Sequence, residues 1–319
     1  MSSVIFVQPF SVNGELAQQL PGRVVVLDVA FCADTHRATY ASTTLPFIEA
    51  LGDRLIFWID HHEHERHIDF ATDQRFVLSP RREHPATPEM ITPELIERAK
   101  AMDTIVTHVD LDGIYAAAKF ILGGVEPYPG ADADARAADS RQGEMGPIAK
   151  LIDHAIKARE LPSKDNTTHK MKSLVNEANI DDALQQTILR YLVSRLEDAA
   201  AEAEIKKRAD AYKAVQNRTA KWISRYVVDD AVALVDIREE TERLDLTQLL
   251  IAGQRLAPVA IVRYRNLRTG EPQMTIAAPS DSGYNFVKMF GLRGGMPTRV
   301  TLPDARFFEA LSTLSEQRH

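Results

Sequence analysis

Residues 55–64 read LIFWIDHHEH: an apolar run that stops abruptly on Asp60, His61, His62, Glu63 and His64. A short continuous apolar run bounded by polar residues is the pattern of a strand buried on both faces, as in a parallel sheet. Its titratable end reads either as a histidine-rich surface loop or as ligands gathered at a strand terminus. Two other stretches favour the second reading. VVVLD (24–28) is a β-branched run ending on Asp28, and TIVTHVDLDG (104–113) carries His108, Asp110 and Asp112. In an open parallel sheet the carboxyl ends of neighbouring strands line one crevice, where ligands bind. Bare carboxylates crowded there repel one another, and a divalent cation resolves that conflict. A mixed imidazole and carboxylate set suits Mn²⁺, Fe²⁺ or Co²⁺. Read as extended chain, His108, Asp110 and Asp112 point to one side, because side chains alternate. Gly113 then lets the backbone turn so that a helix starts close to the site.

The rest of the 319 residues reads as an α/β chain of more than one domain. Strands at 24–28, 55–60 and 104–108 alternate with helical stretches at 42–52, 92–102 and 114–124, which predicts a parallel sheet with helices on its faces. The span 144–226 is helical in pattern, with a polar loop at 160–170 and a Gly- and Pro-free run over 181–215 that reads as a connecting helix or helix pair. A second αβ unit follows, with strands near 231–239, 257–266 and 273–280, helices near 244–254, 284–292 and 303–317, and a glycine turn at 292–297. The expected division is a metal-binding domain over 1–150, a helical extension and connector over 151–226, and a smaller α/β domain over 227–319. Composition is ordinary for a globular protein, at 45% apolar and 26% charged. No apolar run is long enough to span a bilayer, the N-terminus lacks a basic leader pattern, and the single Cys32 fits a reducing compartment, so a cytoplasmic protein with no membrane partner is expected. The net charge of −7 argues against tracking long nucleic acid, but not against a short nucleotide held at a metal centre.

DHH after an apolar strand, HVDLDG on another and VVVLD on a third resemble the DHH phosphoesterase superfamily, which includes RecJ-type exonucleases, nanoRNases, cyclic-dinucleotide phosphodiesterases, phosphoadenosine phosphatases and family II pyrophosphatases. GYNFVKMFGLRGGMPTRVTLP (283–303) is similar to the end of the companion DHHA1 domain, whose glycine-rich turn holds substrate. Two features depart from the family pattern. HVDLDG follows DHH instead of preceding it, as in a circular permutation of the core strands. Met296 stands where the glycine turn usually has His, and a thioether cannot donate a hydrogen bond to phosphate; either Arg293 or Arg299 compensates, or substrate preference differs.

The resemblance implies roles residue by residue. Asp28 would bridge two Mn²⁺ ions, with Mg²⁺ or Co²⁺ as alternatives. His108 and Asp110 would hold one, and His61 and Asp112 the other, with Asp139 added over its competitors Asp134 and Asp153. His62 would contact the scissile phosphate, and Asp60 would orient a histidine. Arg293, Gly294, Gly295 and Arg299 would bind substrate, and Arg141 in DSRQG would take a phosphate. Asp34 and His36 read equally as site lining or polar loop, Glu63, His64 and His67 fall outside the site, Cys32 reads as core, and 130–143 as a loop near the site. Arg263 and Arg265 face a cleft or are solvated. The expected function is hydrolysis of phosphodiester or phosphomonoester bonds in short oligonucleotides or small nucleotides, the smaller domain closing over the substrate. The alternatives are a phosphatase for another small compound or a nucleotide-binding sensor. Homodimerisation is left open.

Overall fold

The computed structural model describes residues 3–33, 38–99, 102–140, 143–158, 181–267, 269–279, 281–292 and 296–316. Contacts divide the chain into two compact units, Met1–Tyr212 and Lys213–His319. Five strands build the sheet of the first: β1 (Ser3–Val7), β2 (Val24–Leu27), β3 (Leu55–Asp60), β4 (Phe76–Leu78) and β5 (Thr104–His108). Their order is β1-β5-β2-β3-β4, and every pairing is parallel. The last strand in sequence is therefore inserted between the first two. This places the three polar-ended strands β5, β2 and β3 side by side.

Alternation sets the two faces. Val25, Leu27, Phe57, Ile59 and Ile105 enter one hydrophobic core, whereas Val24, Val26, Leu55, Trp58 and Val106 enter the other. Helices α1 (Gly14–Gln19) and α2 (Thr44–Leu51) cover the second face through Ala17, Phe47, Ile48 and Leu51. Downstream, α3 (Pro93–Arg98) starts at a Thr92 cap with proline in its first turn. Helices α4 (Leu111–Ile121), α5 (Ala131–Ser140), α6 (Pro147–Ala158), α7 (Asp182–Val193) and the start of α8 (Ala199–Ile223) contribute to the first core. Ile152, Ile188, Leu192 and Ile205 are fully buried there, each worth about 1.5–3 kcal/mol against exposure. The helical run beyond residue 150 thus supplies sheet-covering residues, and the division between units falls after Tyr212, inside α8. The stretch expected as a loop at 130–143 is helical from Ala131 to Ser140, because Ala131 and Ala135 present a small buried face to the core. The expected loop at 160–170 lies outside the described residues.

The second unit is a mixed five-stranded sheet. It comprises β6 (Val227–Val228), β7 (Val232–Asp236), β8 (Val259–Arg265), β9 (Pro272–Ala277) and β10 (Arg299–Pro303), in the order β10-β9-β8-β7-β6. Only β7 and β8 run parallel among these pairs. Helix α9 (Leu246–Gln254) packs on one face, and α10 (Phe286–Met289) and α11 (Phe307–Glu316) contribute to the core on the other. Arg263 forks onto Asp304 with two bonds of 2.8 Å, and its guanidinium stacks 3.9 Å from the Phe307 ring centroid, so it serves this unit's own packing. The protein is α/β, with a parallel sheet and a second, smaller sheet.

The junction of β5 and α4 depends on Gly113. A Cβ built there would lie 2.4 Å from the His108 carbonyl oxygen and 2.9 Å from the His108 carbonyl carbon, both rigid backbone atoms. Gly113→Ala is expected to cost about 1–3 kcal/mol through forced backbone displacement, read as a fall of several degrees in the melting temperature of the N-terminal unit.

Candidate metal centre

Asp28 leaves β2 with φ of 56°, in the left-handed region that Asp tolerates better than most residues. Its N–H still donates to the Ile59 carbonyl (2.9 Å), so the β2–β3 ladder runs up to the point where the carboxylate turns away. Such backbone strain costs of order 1–3 kcal/mol and gathers at functional positions. The neighbouring strand β3 ends on Asp60 and His61, both fully buried, and the partly exposed His62. Strand β5 ends on His108, one position from the start of the turn into α4.

The extended reading of 108–112 does not hold. Asp110 is the N-cap of α4, accepting from the Gly113 N–H at 3.1 Å, and Asp112 lies in the first helical turn. A carboxylate that satisfies an orphan N–H of a helix starts the helix immediately, and this local bond outcompetes strand continuation. Ligand-type groups still gather here, through a strand end, a cap and a helical turn.

Two groups converge, and Asp28 belongs to both. Ligand atoms of Asp28, His61 and His62 lie within 4.8 Å of one another, as do those of Asp28, His108 and Asp110. His61 Nδ1 lies 3.0 Å from the His84 carbonyl oxygen. A carbonyl only accepts, so Nδ1 carries the proton and the neutral ring presents a bare lone pair at Nε2. Burial, and then the His62 charge, holds the His61 pKa below its ordinary value, which keeps that neutral form. Yet Nε2 faces Asp112 Oδ2 at 3.5 Å, Asp28 Oδ1 at 3.6 Å and Asp139 Oδ2 at 3.8 Å. These are acceptors facing acceptors. Among the described residues, Asp28 Oδ2, Asp112 Oδ1 and His61 Nε2 are buried without a hydrogen-bond partner.

Electrostatics points the same way. Burial, followed by the charges of Asp112, Asp110, Asp60 and Asp139, pushes the Asp28 carboxyl well above its usual range. Burial, followed by Asp139 and Asp110, raises Asp112 likewise. Burial would raise Asp110 too, but His108, with Nδ1 at 2.9 Å, holds it well below. Asp60 is held below its usual value despite burial, because His62 Nδ1 lies 2.7 Å from its Oδ1. A cluster of buried oxygens facing an imidazole lone pair, with raised carboxylates and, among the described residues, no donor between imidazole and acids, has the donor chemistry of a divalent-cation site. The residues present fit that group.

Helix α5 brings Asp139 to His61. Its two competitors are committed elsewhere: Asp134 accepts from the Tyr128 hydroxyl at 2.7 Å, and Asp153 pairs with Lys157 at 2.8 Å. Arg141, Arg293, Gly294, Gly295, Asp34 and His36 lie outside the described residues. Arg299 sits on β10 with Nη1 3.4 Å from the Thr247 hydroxyl, next to Met296, with which it forms an isolated bridge. Glu63 accepts from the Arg81 N–H, His64 caps the turn at Glu65–Phe70, and His67 packs edge-on to Phe31. Cys32 is buried, its N–H donating to the Thr44 hydroxyl.

Two residues of the site carry no motif and escape a reading of the sequence. Arg81 places Nε 3.0 Å from Asp139 Oδ2. Thr87 is wholly buried and bonds both Asp28 and Asp112. Both come from the irregular chain after β4, where no periodicity marks a residue as inward-facing.

No protein-family model matches the chain, and no curated protein matches it. Among solved structures the chain is similar to the pGpG-specific phosphodiesterase PggH from Vibrio cholerae, with a TM-score of 0.53 and 12% identity over 97% of this chain and 88% of that one. At such identity the likeness is one of fold.

Because Asp28 and Asp112 are raised, the fold favours their protonated forms. That preference stabilises the metal-free protein at acid pH and is lost as pH rises through the raised values. Asp28→Asn, which keeps a side chain suited to left-handed backbone, is therefore expected to melt higher than the parent protein in chelator at pH 7.5, by about 2–4 °C for each kcal/mol relieved. The difference should vanish near pH 4. Excess Mn²⁺ should raise the melting temperature of the parent protein, by about 2.7 kcal/mol of stability at a hundredfold excess over Kd, and leave the variant unmoved. Scanning fluorimetry across pH reads both effects.

Proposed function

We propose that the protein is a metal-dependent phosphoesterase that hydrolyses short oligonucleotides or small nucleotides, built on a DHH-like unit with its core motifs in permuted order and a DHHA1-like second unit. The observation that carries this reading is Asp28: one buried carboxylate common to two ligand groups at the carboxyl ends of adjacent parallel strands. The fold likeness to a dinucleotide-acting phosphodiesterase supports the substrate class. We assign His108 and Asp110 with Asp28 to one cation, and His61, Asp112 and Asp139 with Asp28 to the other. Manganese is the expected ion, since the set mixes imidazole with carboxylate.

Divalent cations bound there would polarise a phosphoryl oxygen and lower the pKa of a water at neutral pH. The chain's own residues supply the rest. Asp60 accepts from His62 Nδ1 and fixes that ring, leaving Nε2 as its other end for the scissile phosphate. The His84 carbonyl sets the His61 tautomer. Arg81, beside Asp139 and a quarter exposed, brings a guanidinium able to fork onto a phosphate oxygen. Arg141, Arg293 and Arg299 remain proposed partners for the substrate's phosphates.

The test is a Mn²⁺-supplemented panel of pGpG, other linear dinucleotides, cyclic dinucleotides, phosphoadenosine phosphate and pyrophosphate. Linear dinucleotides are expected to be cleaved, with activity abolished by chelator, and Asp112→Ala is expected to lower kcat/KM by about 10³-fold, some 4 kcal/mol of transition-state stabilisation. Unchanged turnover by Asp112→Ala overturns the site assignment. Tight nucleotide binding with no chelator-sensitive turnover replaces the enzyme reading with that of a nucleotide sensor.

A further inference from the structure

Thr87 is the one residue that hydrogen-bonds both of the crowded carboxylates among the described residues. Its hydroxyl donates to Asp28 Oδ1 at 2.9 Å, and its backbone N–H donates to Asp112 Oδ2 at 3.0 Å. The other two oxygens, Asp28 Oδ2 and Asp112 Oδ1, are buried with no hydrogen-bond partner among the described residues. The two oxygens it does bond are those nearest His61 Nε2, at 3.6 and 3.5 Å, so Thr87 fixes the edge of each carboxylate that faces the imidazole lone pair.

Thr87 is itself held in place. It opens a short 3-10 turn, Thr87–Met90, gripped from two helices. Lys119 of α4, a buried lysine, donates from Nζ to the Pro88 carbonyl at 2.9 Å and to Asp132 of α5 at 2.5 Å. Arg136 of α5 pairs with Glu89. Lys119 lies seven residues, about two helical turns, beyond Asp112. The helix that carries the carboxylate thus also carries the cation that anchors the turn bonding it. Burying a lysine is costly unless it is paired and hydrogen-bonded, and here both acceptors belong to segments that frame the site.

We propose that Thr87 is a positioning residue for cation binding: it fixes the rotation of the Asp28 and Asp112 carboxylates so that both face the His61 lone pair, and Lys119 anchors it through the Pro88 carbonyl. The inference rests on the metal reading of the site, not on the reaction the site performs. Partners of this kind, one bond removed from the metal, typically change its affinity 10–100-fold when removed. A buried threonine serving only the core would leave that affinity alone.

The test uses the full chain, stripped of metal and titrated with Mn²⁺ by calorimetry, with free Mn²⁺ followed by electron paramagnetic resonance. Thr87→Val keeps the shape and the backbone N–H but removes the hydroxyl. It is expected to weaken Mn²⁺ binding by about 10–100-fold, whereas Thr87→Ser, which restores the hydroxyl, retains affinity close to that of the parent protein. Lys119→Met, which keeps the volume and removes the anchor, is expected to weaken the same site, and it carries the test should Thr87→Val fail to fold. Parent-like affinity in either Thr87→Val or Lys119→Met overturns the proposal, as does a Thr87→Ser variant as weak as Thr87→Val. A parent protein that binds no Mn²⁺ overturns both this inference and the metal reading beneath it. Binding without turnover on any panel substrate, with the variants ordered as above, supports this inference and overturns only the hydrolytic function.

Discussion

Everything at the strand ends turns on one constraint: the His61 lone pair faces buried carboxylate oxygens with, among the described residues, no donor between them. His61 donates from Nδ1 to a backbone carbonyl, and its other nitrogen therefore offers a lone pair to Asp28, Asp112 and Asp139 at 3.5–3.8 Å. A surface cluster would relax by turning its carboxylates into water. Here Asp28 and Asp112 are buried, so they relieve their repulsion by binding protons or a cation. The raised Asp28 and Asp112 carboxyls are the proton side of that choice.

The fold makes the crowding unavoidable. Inserting β5 between β1 and β2 puts three polar-ended strands next to one another, where a sheet in sequence order would have left β5 two strands away from β3. Two independent cores, one on each face, hold those strands in register, so the strand ends cannot drift apart to relieve repulsion. Gly113 lets α4 begin against the His108 backbone, which swings Asp112 over the site within a single turn. Strain at Asp28 is tolerated for the same reason, since its position is over-determined by the ladder to Ile59 and the bond from Thr87.

The second unit is organised differently. A charged network ties its sheet to the turn after β10: Arg263 and Arg238 converge on Asp304 at 2.8–2.9 Å, and Asp236 joins from the end of β7. Arg263 looked in the sequence like a candidate for solvent or substrate. Stacking on Phe307 and a forked pair to Asp304 instead make it part of the packing. The distinction was invisible in the alternating pattern RYRN, which states that Arg263 and Arg265 share a face but not what lies on it.

What the sequence determined by itself was the local pattern: apolar runs ending on Asp28, Asp60–His61–His62 and His108, the parallel sheet implied by strand–helix alternation, and the need for a glycine after Asp112. Those features depend on chain neighbours only, through side-chain period and backbone freedom. Tertiary structure decided the rest. That β5 lies beside β2 is a matter of strand order, which no local pattern encodes. That Asp110 caps a helix, where an extended segment was expected, follows from a competition between a cap bond and strand pairing. That α5 is a helix follows from burial of Ala131 and Ala135 against a core assembled from distant segments. Thr87 and Arg81 belong to the site solely because the irregular chain after β4 folds back over it. Their side chains are ordinary in sequence, and only proximity in space, to Asp28 at 2.9 Å and to Asp139 at 3.0 Å, gives them a chemical part to play.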